Sequence, residues 1–441
     1  MHIRPLAAAH PIRPVRTALC AAVLSLGVLT ACTFAGATMT RDATPAPTTH
    51  LRHDRPIVIA HRGASGYRPE HPLAAYELAI RQGADFIEPD LVATKDGVLI
   101  ARHENEISGT TDVATRPEFA SRKATKVIDG TSYTGWFTED FTLAEIKTLR
   151  AKERIPAIRP GNVRYDGKYE VPTFAEVVRL AQRMSREGRV VGVYPETKHP
   201  TYFAREGRRL DGTPIATSLG ARVIETLVAE RFTDPRRVFI QSFEVENLLE
   251  LRTRLMPHAR VEFPLVQLFG ALAGATPYDV QSNATRGADM GAIYGGLDAI
   301  VEGGLRADTP YGSLATREAL GWMQARYASG IGPWKADLLP REPLAAKVDA
   351  DGDGRAELAT RNTGRVHPML GLALEAGLLV HPYTLRAEEA FLTQSPDGVA
   401  QTALDEALQL FALGVQGLFI DQPDVGVAAR AAFMGRRSQD R

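Results

Sequence analysis

Two acidic residues separated by a single residue carry the strongest chemical signal in the sequence. Glu88 and Asp90 lie between two apolar runs that lead into His61 and His103. Side chains at positions i and i+2 of a strand point to the same face, where two carboxylates either hold one hard cation or repel each other. Burying them without compensation would cost free energy. The pattern therefore favours a metal and acid/base site over a purely structural role for these residues.

Short apolar runs alternate with amphipathic stretches through the body of the chain. The runs predict strands at 57–60, 86–91, 98–101, 190–194, 238–241, 265–269, 378–380 and 417–420, with a weaker one near Ile331. Helix-like spacing lies between them at 74–82, 174–187, 218–231, 244–254, 316–328 and 402–413. This alternation predicts an α/β fold with parallel strands and helical crossovers, which we expect to close into a TIM (β/α)8 barrel. Asp96-Gly97 predicts a tight turn between the second and third runs.

Polar residues that end the apolar runs are the candidates for function, because reactive groups of such a barrel belong at the C-terminal ends of its strands. They are His61, Glu88, Asp90, His103, Glu196, Lys198, Gln241, His381 and Asp421. We expect Asp421 to orient a neighbouring group or to close the last strand.

Two segments do not fit the alternation. Residues 105 to about 172 form a long insertion after the third strand, which is more often a functional lid than a structureless excursion. Residues 337–366 contain an acidic loop whose spacing matches the first half of an EF-hand. Its acids are Asp349, Asp351 and Asp353, but the twelfth position is Thr360 and the bidentate acid is missing. The loop is either a small structural calcium site or a solvated acidic turn.

The N-terminus has the features of an export signal. Basic residues precede a short apolar run, and Leu29-Thr30-Ala31-Cys32 resembles a bacterial lipobox. We expect a signal peptide at 1–31, lipidation of Cys32, a flexible tether at 32–55, a catalytic domain at 56–430 and a tail at 431–441. The localisation expected is the periplasm or cell envelope, as a lipoprotein. An ordinary cleavage site and a secreted soluble protein are the alternative.

Charge and cysteine content limit the kinds of partner and cross-link that the chain can have. The chain carries 52 basic and 52 acidic residues, and residues 1–31 hold three arginines and no acid. The body is therefore slightly acidic, which argues against nucleic acid as a partner. Both cysteines precede the body, so it has none with which to form a disulfide. Membrane contact is expected only through the lipid anchor, and the oligomeric state is not predicted.

The ordered motifs resemble a known family. They are His61-Arg62-Gly63, Glu88-Pro89-Asp90-Leu91, His103, Tyr194-Pro195-Glu196-Thr197-Lys198, His381-Pro382-Tyr383-Thr384 and Phe419-Ile420-Asp421-Gln422-Pro423-Asp424. Together they resemble the glycerophosphodiester phosphodiesterase family, and most of all its exported, periplasmic (GlpQ-like) branch. One departure is Thr197, where the family has isoleucine.

The resemblance implies a barrel of the phospholipase-C-like phosphodiesterase type and a divalent cation, calcium in this branch and magnesium in some relatives. It implies hydrolysis of glycerophosphodiesters, such as glycerophosphocholine, -ethanolamine and -glycerol, to sn-glycerol 3-phosphate and an alcohol. It implies these roles: His61 and His103 as general acid and base, Glu88, Asp90 and Glu196 as metal ligands, and Arg62 and Lys198 as phosphate-binding cations.

The residue types agree with that chemistry. Hydrolysis of a phosphodiester needs positive charge on the nonbridging oxygens, an activated nucleophile and a proton for the leaving oxygen. Carboxylates, cations and imidazoles supply all three. Further pocket candidates are Glu70, Gln241, Phe243, Trp334 and Tyr383; Glu70 either holds Arg62 or caps the next helix, and Trp334 and Tyr383 can equally be core residues.

Two other functions compete with this hypothesis. The same site can act on a larger phosphodiester, such as a lysophospholipid or a glycerol-phosphate polymer, with the insertion at 105–172 setting that choice. A noncatalytic binding lipoprotein on the same barrel is the third hypothesis. Replacement of His61, His103 or the carboxylates would favour it, and all of them are present.

Overall fold

The computed structural model describes residues 54–439. The predicted signal peptide, the lipobox at Cys32 and nearly all of the tether lie outside this range. A search of the described residues finds no helix with the length and apolar character needed to span a membrane.

Fifteen strands are present in the described part of the chain. They are β1 Ile57–His61, β2 Phe86–Glu88, β3 Asp90–Ala93, β4 Leu99–Ala101, β5 Ala124–Ile128, β6 Thr131–Gly135, β7 Gly192–Val193, β8 Glu196–Thr197, β9 Ile240–Ser242, β10 Leu265–Phe269, β11 Ala328–Pro333, β12 Arg341–Val348, β13 Leu358–Asn362, β14 Leu379–Val380 and β15 Gly417–Ile420.

Fourteen α-helices accompany them in the same range. They are α1 Leu73–Gln82, α2 Leu143–Ile146, α3 Phe174–Arg186, α4 Leu219–Ala229, α5 Val245–Glu250, α6 Met256–Ala259, α7 Tyr278–Thr285, α8 Met290–Tyr294, α9 Gly296–Ile300, α10 Arg317–Arg326, α11 Lys335–Leu338, α12 Met369–Glu375, α13 Ala403–Ala412 and α14 Pro423–Gln439. The last helix covers most of the segment expected to be a tail.

The predicted closed barrel is confirmed. Pro89 separates β2 from β3, and Tyr194-Pro195 separates β7 from β8. Each of these pairs therefore forms one interrupted strand of the barrel, and we call each of the barrel's strands a stave. Eight parallel staves then follow one another as β1, β2/β3, β7/β8, β9, β10, β11, β14 and β15. Strand β15 pairs with β1. Backbone bonds such as Phe419 N to Pro382 O, at 3.0 Å, join β14 to β15 and complete the ring.

The apolar run at 98–101 is not a barrel stave. Strand β4 runs antiparallel to β3, with Leu91 opposite Ala101, and the predicted turn at Asp96-Gly97 joins them. Gly97 has φ of +76°, which a residue with a side chain adopts only with strain. The nine predicted runs therefore reduce to eight staves and one hairpin strand. Because this hairpin folds back, its end returns to the start of β3 and brings His103 to the barrel mouth.

The barrel interior has its own apolar core. It consists of Ile57, Ile59, Phe86, Tyr194, Phe239, Val266, Leu379 and Phe419. The rings of Tyr194 and Phe239 stack with centroids 4.8 Å apart. His381, one of the polar residues that end the predicted strands, is buried here, and its Nδ1 lies 3.0 Å from the Tyr194 hydroxyl.

One carboxylate ties the last helix to the first staves. Asp85 directly precedes β2, and its side chain accepts from the backbone N–H of Val58 at 2.8 Å. It also pairs with three guanidinium groups, those of Arg55, Arg189 and Arg430. Arg430 belongs to α14 and is buried, so the pair joins that helix to the barrel.

We expect Asp85→Ala to lower the free energy of unfolding by about 3 kcal/mol, because it leaves the buried Arg430 charge without its partner. Denaturant titration followed by circular dichroism measures the change. Glu375→Ala is the control, since its pair with Arg317 is exposed at both ends and contributes little. Equal midpoints for the two variants would contradict this role of Asp85.

Candidate active site

Neighbouring staves bring the predicted site residues together at the C-terminal mouth of the barrel. His61 ends β1 and lies opposite Glu88, which ends β2. Asp90 begins β3 opposite Glu196, and Glu196 in turn lies opposite Gln241 of β9. Strand register alone therefore assembles these five residues from four parts of the sequence.

Three buried carboxylates form the centre of the site. Glu88, Asp90 and Glu196 each offer an oxygen within 4.8 Å of the others. Burial and the charges of Asp90 and Glu196 raise the pKa of Glu88 well above its ordinary value. Burial also raises the pKa of Glu196, to about 7. Such shifts mean that the trio lacks positive charge, which a divalent cation would supply.

A fourth oxygen donor lies beside the trio. The Gln241 side-chain amide donates to Glu88 at 3.3 Å. Its Oε1 is buried and has no hydrogen-bond partner among residues 54–439. Amide and carboxylate oxygens are the ligands that hard cations prefer, so the donor set fits calcium or magnesium.

Two cations contact the trio directly. Arg62 Nε lies 3.0 Å from Asp90, and Lys198 Nζ lies 3.2 Å from Asp90 and 2.5 Å from Glu196. Burial would raise the pKa of Asp90, but Lys198 and Arg62 hold it well below its usual range. His71 also reaches Asp90, with Nε2 at 3.1 Å. Three acids and two cations leave one formal negative charge, which a divalent ion and a phosphodiester monoanion together would cancel.

The turn after β1 fixes the Arg62 backbone. Arg62 has φ of +59° and Gly63 has φ of +89°. A Cβ on Gly63 would lie 2.7 Å from the backbone of Ala75 in α1, so only glycine allows this approach. The turn lets the Arg62 N–H donate to Glu88 at 2.8 Å. The His-Arg-Gly motif therefore positions a base, a cation and a carboxylate in one turn.

Each candidate catalytic histidine is held by a carboxylate. His61 Nδ1 lies 2.6 Å from Asp421, and His103 Nδ1 lies 2.6 Å from Glu104. An ionised carboxylate can only accept, so Nδ1 carries the proton and Nε2 keeps its lone pair. The expected orienting role of Asp421 agrees with this contact. Glu104 was not predicted, although it directly follows His103.

The surroundings of both histidines favour the neutral imidazole. Burial and the nearby charge of Arg62 lower the pKa of His61 to about 4, although Asp421 opposes the shift. Burial, Arg62 and Lys198 lower the pKa of His103, whose side chain keeps 34% of its surface exposed. A neutral imidazole with a free Nε2 is able to accept a proton from a nucleophile.

A cavity of about 580 Å³ opens over these groups. Both histidines, Arg62, Lys198 and Glu196 line it, and so do four of the five further pocket candidates, Gln241, Phe243, Trp334 and Tyr383. The fifth, Glu70, does not line the cavity, which corrects its assignment to the substrate pocket. Its carboxylate accepts from Arg62 Nη1 at 2.9 Å, and so it holds Arg62 in place.

The outer wall of the cavity comes from an unexpected segment. Arg341, Glu342 and Pro343 of β12 and Thr360 of β13 line it, together with residues near Phe391. None of its lining residues belongs to 105–172. That insertion was expected to act as a lid, but it does not cover this cavity. An adjoining space of about 330 Å³ shares His103, Glu196, Lys198 and Phe243 and reaches Asp129 in the β5–β6 turn.

The EF-hand-like loop lies at the tip of the β12–β13 hairpin. Asp349, Asp351 and Asp353 are exposed, and each offers an oxygen within 4.8 Å of the others. The loop's own N–H groups bond to these carboxylates, for example Gly354 N to Asp349 at 2.9 Å. None of the three acids lines the cavity over His61 and His103, so this loop is separate from the candidate catalytic residues.

Comparison with known proteins gives a consistent result. The model of the glycerophosphoryl diester phosphodiesterase family matches residues 61–306. Glycerophosphodiester phosphodiesterase GDPD6 of Arabidopsis thaliana is 33% identical over 385 residues, which cover 84% of this chain and 85% of the relative. A glycerophosphodiester phosphodiesterase of Haemophilus influenzae is 29% identical over 419 residues, covering 93% and 97%.

Among solved structures, one from Silicibacter pomeroyi, assigned to the glycerophosphoryl diester phosphodiesterases, is similar in fold. It superposes with a TM-score of 0.52 at 18% identity and covers 87% of this chain and 96% of that one. At this identity the likeness supports the fold alone.

Calcium is expected to stabilise the protein through the buried trio. At one hundred times its dissociation constant, an ion that binds only the folded state adds about 2.7 kcal/mol to the free energy of unfolding. We expect Glu88→Gln to remove this effect, as judged by unfolding with and without calcium. Asp351→Asn, which alters the hairpin loop, is the matched control. If calcium stabilises Glu88→Gln but not Asp351→Asn, the ion binds the hairpin loop and not the buried trio.

Proposed function

The chain belongs to the glycerophosphodiester phosphodiesterase family and is an enzyme of that activity, and on this premise we propose how it works. It hydrolyses glycerophosphocholine and similar diesters to sn-glycerol 3-phosphate and an alcohol, with His61 and His103 as acid and base on a cation-bound phosphate. One observation carries the proposal. Two carboxylate-held imidazoles, two cations and one carboxylate of the trio line the same cavity.

Glu88, Asp90 and Glu196 would hold the divalent ion, with calcium preferred. Calcium accepts oxygen ligands in flexible geometry, whereas magnesium demands a near-ideal octahedron. When bound, the ion withdraws charge from the nonbridging phosphate oxygens. The raised pKa values of Glu88 and Glu196 support this assignment, because burial and the neighbouring carboxylates both disfavour the ionised form in the absence of a cation.

Arg62 and Lys198 bind the phosphate. Both side chains line the cavity and are buried, so water screens their charges weakly. Glu70 and Asp90 fix the guanidinium of Arg62 from behind. Lys198 has a flexible stem and a point charge, which suits it to follow the phosphate as negative charge shifts during the reaction.

His61 and His103 move the protons. One imidazole is neutral and accepts a proton at Nε2 from the attacking hydroxyl. The other is protonated when the reaction starts, because the negative charge of the bound phosphate favours its imidazolium, and it gives its Nε2 proton to the leaving oxygen. The same pair serves whether water attacks directly or the glycerol 2-hydroxyl first forms a cyclic phosphate, because both routes need one base and one acid. Asp421 and Glu104 stabilise the imidazolium form of the two rings, which the base reaches after its transfer and the acid holds before its transfer.

Loss of either imidazole is expected to nearly abolish turnover. His61→Ala and His103→Ala should each lower kcat on glycerophosphocholine by roughly 10² to 10⁴, the usual contribution of a general acid or base. Release of choline, measured with and without a chelator, gives the rates, and the melting temperature should change little. The control is His258→Ala, an exposed histidine in α6. Full activity of either catalytic variant, or activity that survives chelation, would refute the proposal.

We also propose that the chain is exported and anchored by lipid at Cys32. The basic residues Arg4, Arg13 and Arg16, the apolar run that follows and the Leu-Thr-Ala-Cys sequence support this. Because the catalytic body begins more than twenty residues after Cys32, the intervening segment is long enough to act as a tether.

Anchoring can be tested with a labelled fatty acid. Cells that express the full chain should incorporate labelled palmitate into the protein, and Cys32→Ser should abolish the incorporation. Cys20→Ser is the matched control, since that cysteine lies within the apolar run. Equal labelling of wild type and Cys32→Ser would exclude Cys32 as the anchor.

A further inference from the structure

The insertion at 105–172 contacts the site residues on the side away from the cavity and does not cover the cavity. We propose that its segment 154–159 is a clamp that fixes the orientation of both catalytic histidines, with Arg154 acting on His103 and Arg159 acting on His61. Neither arginine lines the cavity, so both are positioning residues. The inference rests on the proposed function, because it assumes that the two imidazoles are the acid and the base.

The first contact chain ends at His103. Glu104 accepts from His103 Nδ1 at 2.6 Å through one oxygen, and its other oxygen lies 2.8 Å from Arg154 Nη2. The same guanidinium donates to both oxygens of Glu70, at 2.8 and 2.5 Å. Glu70 in turn holds Arg62. One arginine therefore fixes the carboxylate behind a histidine and the carboxylate behind the phosphate-binding guanidinium.

The second contact chain ends at His61. Asp421 accepts from His61 Nδ1 through Oδ1, and its Oδ2 accepts from Arg159 Nη2 at 2.6 Å. Arg159 Nη1 donates to the carbonyl of Ser65 at 2.9 Å, and the Ser65 hydroxyl donates to the carbonyl of His61 at 2.8 Å. Glu388 also pairs with Arg159. Both the ring and the backbone of His61 are thus connected to one guanidinium.

The two arginines have a fixed separation because the segment between them is a closed turn. Arg159 N donates to the carbonyl of Ile155 at 2.9 Å. Asn162 bonds to Glu153 at 2.8 Å and to the Ser65 carbonyl at 3.2 Å, so the turn is tied at both of its ends. A clamp of this kind can hold two imidazoles in a mutual orientation that neither the β1 stave nor the β4 hairpin sets alone.

The two contacts are unequal. Arg386 Nε also contacts Asp421 Oδ2, at 2.8 Å, so Asp421 keeps one cation if Arg159 is lost. Arg154 is the one cation within ion-pair distance of Glu104 in the described part of the chain. Displacement of a catalytic group by about 1 Å can lower a rate roughly a hundredfold. We therefore expect a larger loss from Arg154→Met, about 10- to 100-fold in kcat, than from Arg159→Met, about tenfold or less.

Leaving-group dependence separates a positioning role from a structural one. The p-nitrophenyl ester of sn-glycerol 3-phosphate has a leaving group that needs no protonation, whereas glycerophosphocholine releases a basic alkoxide. Loss of the acid therefore slows choline release far more than nitrophenol release, and loss of the base slows both. Arg154→Met should reproduce the ratio of the two rates seen in His103→Ala, and Arg159→Met the ratio seen in His61→Ala. These two ratios should differ.

Controls distinguish the possible failures. Arg164→Met, an exposed arginine of the same insertion, should behave as wild type. Arg154→Lys and Arg159→Lys, which keep the charge, should recover part of kcat and serve as the test if a methionine variant melts early. The same rate ratio in both arginine variants, or wild-type kcat in both, would overturn the clamp. Full activity of the histidine variants would instead refute the proposed function.

Discussion

The crowding of three carboxylates into one buried space is the constraint on which the rest of this site depends. Glu88, Asp90 and Glu196 are all shielded from water, where like charges repel strongly and each ion loses its hydration. Arg62 and Lys198 offset part of the charge. The guanidinium of Arg62 is held in place by the turn at Arg62 and Gly63 and by the buried Glu70. The barrel supplies the rigid rim that keeps the acids from separating.

The sequence predicted the barrel and the rim well because both depend on local patterns. Each stave is an apolar run, and each rim residue follows such a run directly. The run at 98–101 was misleading, since an apolar hairpin strand and a barrel strand bury similar side chains and differ only in pairing direction. For Glu70 the sequence left two roles open, holding Arg62 or capping the next helix, and the contact with Arg62 agrees with the first. The position of Glu70 depends on Arg154, which lies more than eighty residues away in the sequence.

Arg154 and Arg159 could not be predicted, because no periodic pattern marks a functional arginine in an irregular segment. Their partners are distant in sequence, and Asp421 lies 262 residues from Arg159. The two segments outside the barrel repeat also have different roles. The insertion at 105–172 supports the histidines and reaches the adjoining cavity at Asp129, whereas the hairpin of β12 and β13 forms the outer wall of the main cavity. The two segments thus contact different sides of the site.

The placement of His103 on a hairpin has a consequence for how the enzyme loses activity. His61 and the acids are embedded in staves that pair with another stave on each side. In the part of the chain that the structure describes, β4 instead pairs with β3 on one side and forms backbone bridges only to the short segment at Pro172 and Thr173 on the other. Such peripheral units open with less free energy than the global transition, often as one cooperative piece. Opening of this hairpin removes one imidazole while the barrel remains folded. We therefore expect heat inactivation to precede the loss of barrel circular dichroism, and the amides of β4 to exchange with deuterium sooner than those of β1.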